Sequence, residues 1–235
     1  MVEGVRAIVD AIRLDASPEF ILVSESFEDW NGIAALDDQF LIQMDARLIR
    51  ELAGTESPQG LLAVFPMPSP DPGPATPALS IIADGVSDPG NLGTLLRTAA
   101  GVGASACYLT AGSVDPFNPK VVRAAMGAHF RLPIREVTQS RWPIDNSTTL
   151  VVCLDPGSNV KYYDIDMTGP VAIIVGSEAH GVSESSRNRA NVQVSVPLEQ
   201  DTESLNAAVA ASIVLFEARR QRDISSNRPE SAHNH

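Results

Sequence analysis

VQVSVPLEQDTESLNAAVAASIVLFEARRQR, residues 192–222, is the stretch whose reading decides the fold. Val192, Val194 and Val196 alternate with Gln193 and Ser195, the two-residue period of a strand, and Pro197 ends the strand because its ring offers no N–H to a sheet ladder. An acidic loop with Glu199, Asp201 and Glu203 follows. Ser204 is then placed as a helix N-cap, and Leu205, Val209, Ser212/Ile213 and Phe216 recur at helical spacing. The helix ends in Arg219, Arg220 and Arg222, charges that suit the negative end of a helix dipole. Its start presents backbone N–H groups, the Ser204 hydroxyl and the Asn206 amide to one place. Two other loops are built to meet there: Gly176-Ser177-Glu178-Ala179-His180-Gly181 after an apolar strand, and Asp88-Pro89-Gly90-Asn91-Leu92-Gly93 before a helix carrying Arg97.

Outward from that stretch, strands and helices alternate from residue 79 onward. Strands are predicted over Leu79 to Ala83, Ala106 to Leu109, Leu132 to Ile134, Leu150 to Leu154 and Val171 to Val175. Helices are predicted over Asn91 to Gly101 and Pro119 to Met126, with a short element near Trp142. Several strands are unbroken apolar runs, the pattern of a parallel sheet covered on both faces, so residues 78–224 read as a doubly wound α/β domain. Six of the twelve residues from Pro66 to Pro77 are proline, a composition that continues neither helix nor central strand. Residues 66–77 are therefore the linker, residues 1–65 a small α/β sandwich, and 225–235 a polar tail expected to be disordered.

The 235 residues are 44% hydrophobic and 20% charged, enough to bury a sizeable core. No apolar run reaches membrane-spanning length and no basic, apolar leader follows Met1, so the expectation is a cytoplasmic protein with no membrane partner. Cys107 and Cys153 fall in predicted strands without companion ligands, which argues for core residues and against a disulfide framework or a metal site. The formal net charge of −12 excludes a protein that coats nucleic acid nonspecifically. The imbalance is uneven: residues 1–75 hold 4 basic and 13 acidic side chains, net −9, and residues 76–235 hold 13 and 16, net −3. RNA phosphates should be met by the second part, where Lys120, Arg123, Arg131 and Arg135 lie close in sequence; a solvated helix face is the competing reading.

The residues after Leu79 to Ala83 fit neither a dinucleotide-binding glycine loop nor a phosphate-binding Walker loop, and no GxSxG elbow is present. What remains are three loops with polar groups. Taken singly, Asn91 and Ser204 are adequate as helix caps, Glu178 as a solvated carboxylate, His180 as a loop residue and His129 as a surface or helix-end histidine.

Taken together, Asp84, Asp88-Pro89, Asn91, Gly93 and Arg97, then Gly176, Glu178 and Gly181, then Pro197 and Ser204-Leu205-Asn206 resemble the three motifs of the SpoU family of RNA ribose 2′-O-methyltransferases, in the SPOUT superfamily. The motifs occur in order over roughly residues 79 to 222 and are specific as a set. The resemblance implies a C-terminal α/β knot (a deep trefoil), a homodimer and an S-adenosylmethionine site. It places the adenine slot at Val175, Gly176, Gly181, Val196, Leu198 and Leu205, held largely by backbone. It makes Arg97 the central reactive-site group, with Asn91, Glu178, Ser204 and Asn206 orienting substrate and loops. Arginine stays protonated in proteins, so Arg97 is expected to position and stabilise while a phosphate oxygen or water accepts the proton. Leu198 and Gln200 depart from the Met and Gly frequent in the family's third motif.

Residues 1–65 resemble the substrate-binding domain that precedes many SpoU catalytic domains and is related to ribosomal proteins that bind kinked RNA; Val2-Glu3-Gly4 and Ser57-Pro58-Gln59-Gly60 are the matching points. The resulting expectation is an enzyme methylating ribosomal RNA ahead of transfer RNA. Its rivals are a catalytically silent knotted RNA-binding or assembly protein and a nucleotide-dependent α/β enzyme; ligand-linked stabilisation by S-adenosylhomocysteine against NAD or ATP separates the last.

Overall fold

The computed structural model describes residues 1–33, 36–55, 57–68, 78–138, 142–199 and 204–226. In the first domain, β1 (Val2–Glu3), β2 (Phe20–Ser24), β3 (Leu41–Met44) and β4 (Leu61–Val64) form a sheet in the order β1-β4-β2-β3. Helix α1 (Val5–Arg13) covers one face through Ile8, and α2 (Ala46–Leu52) covers the other through Ile49, packed on Leu22 and Leu62. Asp45 caps α2 as its sequence position suggests, accepting the Arg47 N–H at 2.7 Å. The expected small sandwich is therefore present. Of the predicted linker only residues 66–68 are described; the rest of it lies outside the described residues.

The second domain carries a six-stranded, all-parallel sheet in the order β10-β8-β9-β5-β6-β7. Its strands are β5 (Leu79–Asp84), β6 (Ala106–Leu109), β7 (Ile134–Glu136), β8 (Leu150–Leu154), β9 (Val171–Gly176) and β10 (Val192–Val194). Helices α3 (Pro89–Gly101), α4 (Pro119–Ala125), α5 (Glu184–Arg187) and α6 (Ala207–Ser226) complete it. Leu79, Ile81 and Ala83 of β5 face a core shared with α3 and α6, while Ile82 faces a second core with Val151, Ile174 and Val182. Burial on both faces is why these strands are unbroken apolar runs. Gly93 sits where α3 meets α4; a Cβ there would lie 2.4 Å from the Ala124 Cβ and 2.9 Å from the Val121 carbonyl oxygen, so only glycine permits this crossing.

The structure corrects several details of the sequence reading. Strand β10 stops at Val194, and Val196 lies beyond it; Ser195 makes only an isolated bridge to Lys161. Strand β7 starts at Ile134 instead of Leu132, because the Leu132 N–H closes a turn on the Ala128 carbonyl and Pro133 has no N–H to give. Helix α6 runs through Ser226, so Ser225 and Ser226 belong to it and not to the tail; 227–235 lie outside the described residues. The buried face of α6 is Ala208, Ala211, Val214, Leu215 and Ala218, whereas Val209 and Phe216, which mark the helical spacing in the sequence, are 46% and 58% exposed. His129 is not a surface residue: it is 7% exposed, with Nε2 2.7 Å from the Pro116 carbonyl oxygen and its ring against Phe117.

The two domains meet along α4 and the turn after it. Val122 and Phe130 pack on the first domain's core, and Phe130 meets Phe65 edge to face at 4.9 Å. Arg123 donates from Nη1 to the Gly54 carbonyl.

Candidate active site

All six strands of the second sheet run the same way, so β5, β8, β9 and β10 deliver their carboxyl ends to one edge. In an open α/β sheet that edge is where ligands bind. The three loops singled out in the sequence all emerge there.

The first of them opens α3. Asp88 is the N-cap, its Oδ1 accepting the Asn91 N–H at 2.8 Å, and Pro89 occupies the first turn where a missing N–H costs nothing. The cap is therefore Asp88, which frees the Asn91 side chain to point elsewhere. It donates from Nδ2 to Glu178 Oε1 in the second loop.

That second loop is a tight hairpin. The Gly181 N–H donates to the Ser177 carbonyl at 2.8 Å and the Ser177 N–H to the Gly181 carbonyl at 3.2 Å. Gly176 lies against the returning limb so closely that a Cβ on it would fall 2.0 Å from the Gly181 carbonyl carbon and 2.2 Å from the Val182 nitrogen. Backbone surrounds that position, so no side chain can yield to make room. Gly181 itself has φ +65°, a left-handed turn that glycine takes without strain.

The third loop starts α6, and here the sequence reading is corrected. Asn206, not Ser204, is the cap: its Oδ1 accepts the N–H groups of Ala208 at 3.0 Å and Val209 at 3.2 Å. Its Nδ2 donates to Asn91 Oδ1 at 2.9 Å and to Glu178 Oε1 at 3.3 Å. One side chain from each loop thus joins a single hydrogen-bonded cluster, Asn91–Glu178–Asn206.

Val196, Leu198, Ser204 and Leu205 line one small cleft together with Leu154, Asp155 and Pro156 from the end of β8. These last three were missed by the sequence reading; their signal was a strand ending at a proline on the same sheet edge. Asp155 is held by Arg187 Nη1 at 2.5 Å and by the Gly157 N–H at 2.9 Å. Val175 is buried beside Ala83, and Gly176 pairs with Asp84, one strand over from β8.

Arg97 is exposed on α3, and its guanidinium makes no hydrogen bond or ion pair among the described residues. Six residues separate it from Asn91, about 120° around the helix, so it projects from a different face of α3. Its neighbour Thr98 faces α6, with Oγ1 3.1 Å from the Ser212 Oγ. Of the basic residues proposed to meet RNA, Lys120 and Arg131 are exposed, Arg123 is engaged with Gly54 across the domain boundary, and Arg135 lies on the edge strand β7. The two cysteines are free and buried, and burial pushes the Cys107 thiol up to about 12 and the Cys153 thiol up to about 11, so neither is a nucleophile near neutral pH. Among the described residues no His, Cys, Asp and Glu group could hold a metal ion, and no helix is long and apolar enough to cross a membrane.

With this geometry in hand, comparison with known proteins gives a consistent result. The family model described as SpoU rRNA methylase matches residues 78–216. Mouse rRNA methyltransferase 3, mitochondrial, is 34% identical over 94% of this chain and 67% of its own length. The Bacillus subtilis 23S rRNA (guanosine(2553)-2′-O)-methyltransferase RlmP is 31% identical over 93% of this chain and 88% of its own. The crystal structure of the SpoU methyltransferase AviRb from Streptomyces viridochromogenes, in complex with the cofactor AdoMet, superposes with a TM-score of 0.83 at 28% identity, covering 94% of this chain and 89% of that one. The parallel sheet with its terminal helix is thereby the α/β knot of the SPOUT methyltransferases, preceded by an N-terminal substrate-binding subdomain. The chain belongs to the SpoU rRNA methylase family.

Proposed function

We propose that this protein transfers a methyl group from S-adenosylmethionine to a ribose 2′-hydroxyl of ribosomal RNA. The observation that carries the reading is the hydrogen-bonded cluster of Asn91, Glu178 and Asn206, drawn from three loops 87 and 28 residues apart, with Asn91 on the same helix as the exposed Arg97, which has no partner among the described residues. AdoMet fits the residues present. The Gly176–Gly181 approach leaves bare backbone at the carboxyl end of β9, and Val196, Leu198 and Leu205 give the neighbouring cleft an apolar wall for a purine.

When bound, AdoMet supplies an electrophilic methyl group on a sulfonium. The chain's task is then to place the ribose oxygen in line and to provide for its proton. Arg97 stays cationic and holds an RNA phosphate and the attacking hydroxyl; the proton leaves to a phosphate oxygen or water. Asn91 and Asn206 fix the Glu178 carboxylate, which with the Ser204 hydroxyl orients the ribose.

The protein works as a homodimer in the cytoplasm. Val209, Phe216 and Ile224 form an exposed apolar stripe at seven- and eight-residue spacing along α6, a face that a second copy would bury. The first domain takes part in holding RNA despite its acidity. Three of its four basic residues, Arg6, Arg13 and Arg50, line a single cleft of about 1040 Å³ between α1, α2 and the Ser57–Gly60 turn.

The test is mapping of ribose methylation across ribosomal and transfer RNA with and without the protein. A single new 2′-O-methyl site in ribosomal RNA is expected, lost in Arg97→Ala while S-adenosylhomocysteine still binds. Full turnover by Arg97→Ala, or no ribose methylation by the wild type, overturns the proposal.

A further inference from the structure

Asp84 is buried, 6% exposed, and the transfer described above gives its carboxylate no task. It stands at the last position of β5, paired with Gly176 at the last position of β9. Its two oxygens are committed to two different elements. Oδ1 accepts the Thr110 hydroxyl at 2.7 Å, and Oδ2 accepts the backbone N–H of Ser183 at 2.6 Å. Thr110 is fixed in turn to the end of β5: its N–H donates to the Ala83 carbonyl at 3.0 Å, and its Oγ1 accepts the Gly85 N–H at 3.1 Å. The Thr110 hydroxyl proton therefore goes to the carboxylate at 2.7 Å, with the Ala111 carbonyl at 3.5 Å as the longer alternative.

Ser183 lies two residues beyond Gly181, on the limb by which the Glu178 hairpin returns to the domain. The hairpin is tied across its base by the Ser177–Gly181 bonds and rooted in β9 on its outgoing side. The bond to Asp84 fixes the returning side. An ionised carboxylate suits this post because both partners are donors, and a buried charge-assisted hydrogen bond is stronger than a neutral one. We propose that Asp84 is a positioning residue for methyl transfer. Its clasp on Thr110 and Ser183 holds the hairpin so that Glu178 meets Asn91 and Asn206. The assignment rests on the methyl-transfer reading above and deepens it.

Asp84→Ala, Asp84→Asn, Thr110→Val and Thr110→Ser are compared with the wild type for kcat, for KM of RNA, for S-adenosylhomocysteine binding and for backbone hydrogen exchange. Asp84→Ala should lower kcat by about 10- to 100-fold, the loss of a hydrogen bond to a charged acceptor, with the RNA KM within about 2-fold. Exchange of the amides of 177–183 should quicken by about 10-fold or more while α6 keeps its protection. Asp84→Asn retains an acceptor for Ser183 and a donor for the Thr110 oxygen, and Thr110→Ser retains the hydroxyl, so both should recover most of the turnover; Thr110→Val should not. Unchanged kcat and exchange in Asp84→Ala overturns the clasp. So does equal loss of protection in the hairpin and α6, which marks a general loss of stability. Should Asp84→Ala fail to fold, the Thr110 pair decides by the same criteria. A wild type inactive in the assay defeats the methyl-transfer reading instead, and the exchange data still decide the clasp.

Discussion

Asn206 performs two jobs with the two ends of one amide, and two substitutions separate them. Its oxygen caps α6 through Ala208 and Val209, and its nitrogen bridges Asn91 and Glu178. Asn206→Ala removes both. Loss of a side-chain N-cap costs about 1 kcal/mol, and in a chain of this size that lowers the melting temperature by roughly 2–4 °C. Asn206→Asp keeps a capping oxygen of equal quality, so the helix end should hold. The nitrogen, however, becomes an oxygen 2.9 Å from Asn91 Oδ1 and 3.3 Å from Glu178 Oε1, and an attractive bridge turns into a repulsion between acceptors. A lost hydrogen bond to a charged group is worth about 1.5–3 kcal/mol, or roughly 10- to 150-fold in rate if the cluster must be intact at the transition state. Urea melts and initial rates of methyl incorporation into ribosomal RNA read the two effects independently. Asn206→Ala should lose the cap and the bridge; Asn206→Asp should keep the cap while the reversed bridge lowers the rate by the larger factor. An Asn206→Asp enzyme with wild-type turnover refutes the bridging role, and an Asn206→Ala protein with wild-type stability refutes the cap.

Three further outcomes are expected. Gly176→Ala places a methyl 2.0 Å from the Gly181 carbonyl carbon, so the hairpin must open; S-adenosylhomocysteine binding, measured by calorimetry, should disappear, and undiminished affinity would contradict the close-approach argument. Phe216→Asp puts a charge on the exposed stripe of α6 without touching the buried face, and light scattering should find a dimer for the wild type and a monomer for the variant; a wild-type monomer would refute the proposed dimer. His129 is held neutral because burial lowers its pKa below the usual 6.5. Its contribution to stability is therefore present above pH 6.5 and is lost as pH falls through the depressed native value, since protonation then favours the unfolded chain. Urea melts from pH 7.5 to 5 should show this decline in the wild type and less of it in His129→Gln; identical profiles would remove His129 as the cause.

Most of the strand and helix order was legible because both kinds of element have strong periodic signals, and the parallel sheet was legible because strands buried on both faces lose their alternation. The buried face of α6 was not legible for a physical reason. Both sides of this helix are apolar, so hydrophobic spacing does not choose between the side of Val209 and Phe216 and the side of Ala208, Ala211, Val214, Leu215 and Ala218, which packing in the core selects. The cap was misplaced because Ser204 and Asn206 are equally good cap formers two residues apart, and only the hydrogen bonds distinguish them. His129 was read as a surface or helix-end residue; it does lie at a short helix's end, but nothing in its own segment shows that the Pro116 carbonyl comes from another part of the chain to meet it and bury it. Convergence of the three loops was already legible in the residues, before the family resemblance gave them roles; the Asp84 clasp, formed across 26 and 99 residues, had no local signal at all.

The location of the cluster follows from the topology. A parallel sheet sends every strand out on the same edge, so the loops after β5, β9 and β10 start as neighbours however far apart they are in sequence. Helices that leave this edge begin with unpaired N–H groups and need caps. Asp88 fills that need for α3 and Asn206 for α6. Asn206 has an amide left over after capping, and that amide is what reaches Asn91 and Glu178. One amide thus links the first turn of α6 to the polar cluster, so the helix start that Asn206 caps is also the place from which it reaches Asn91 and Glu178, the groups proposed to orient the ribose.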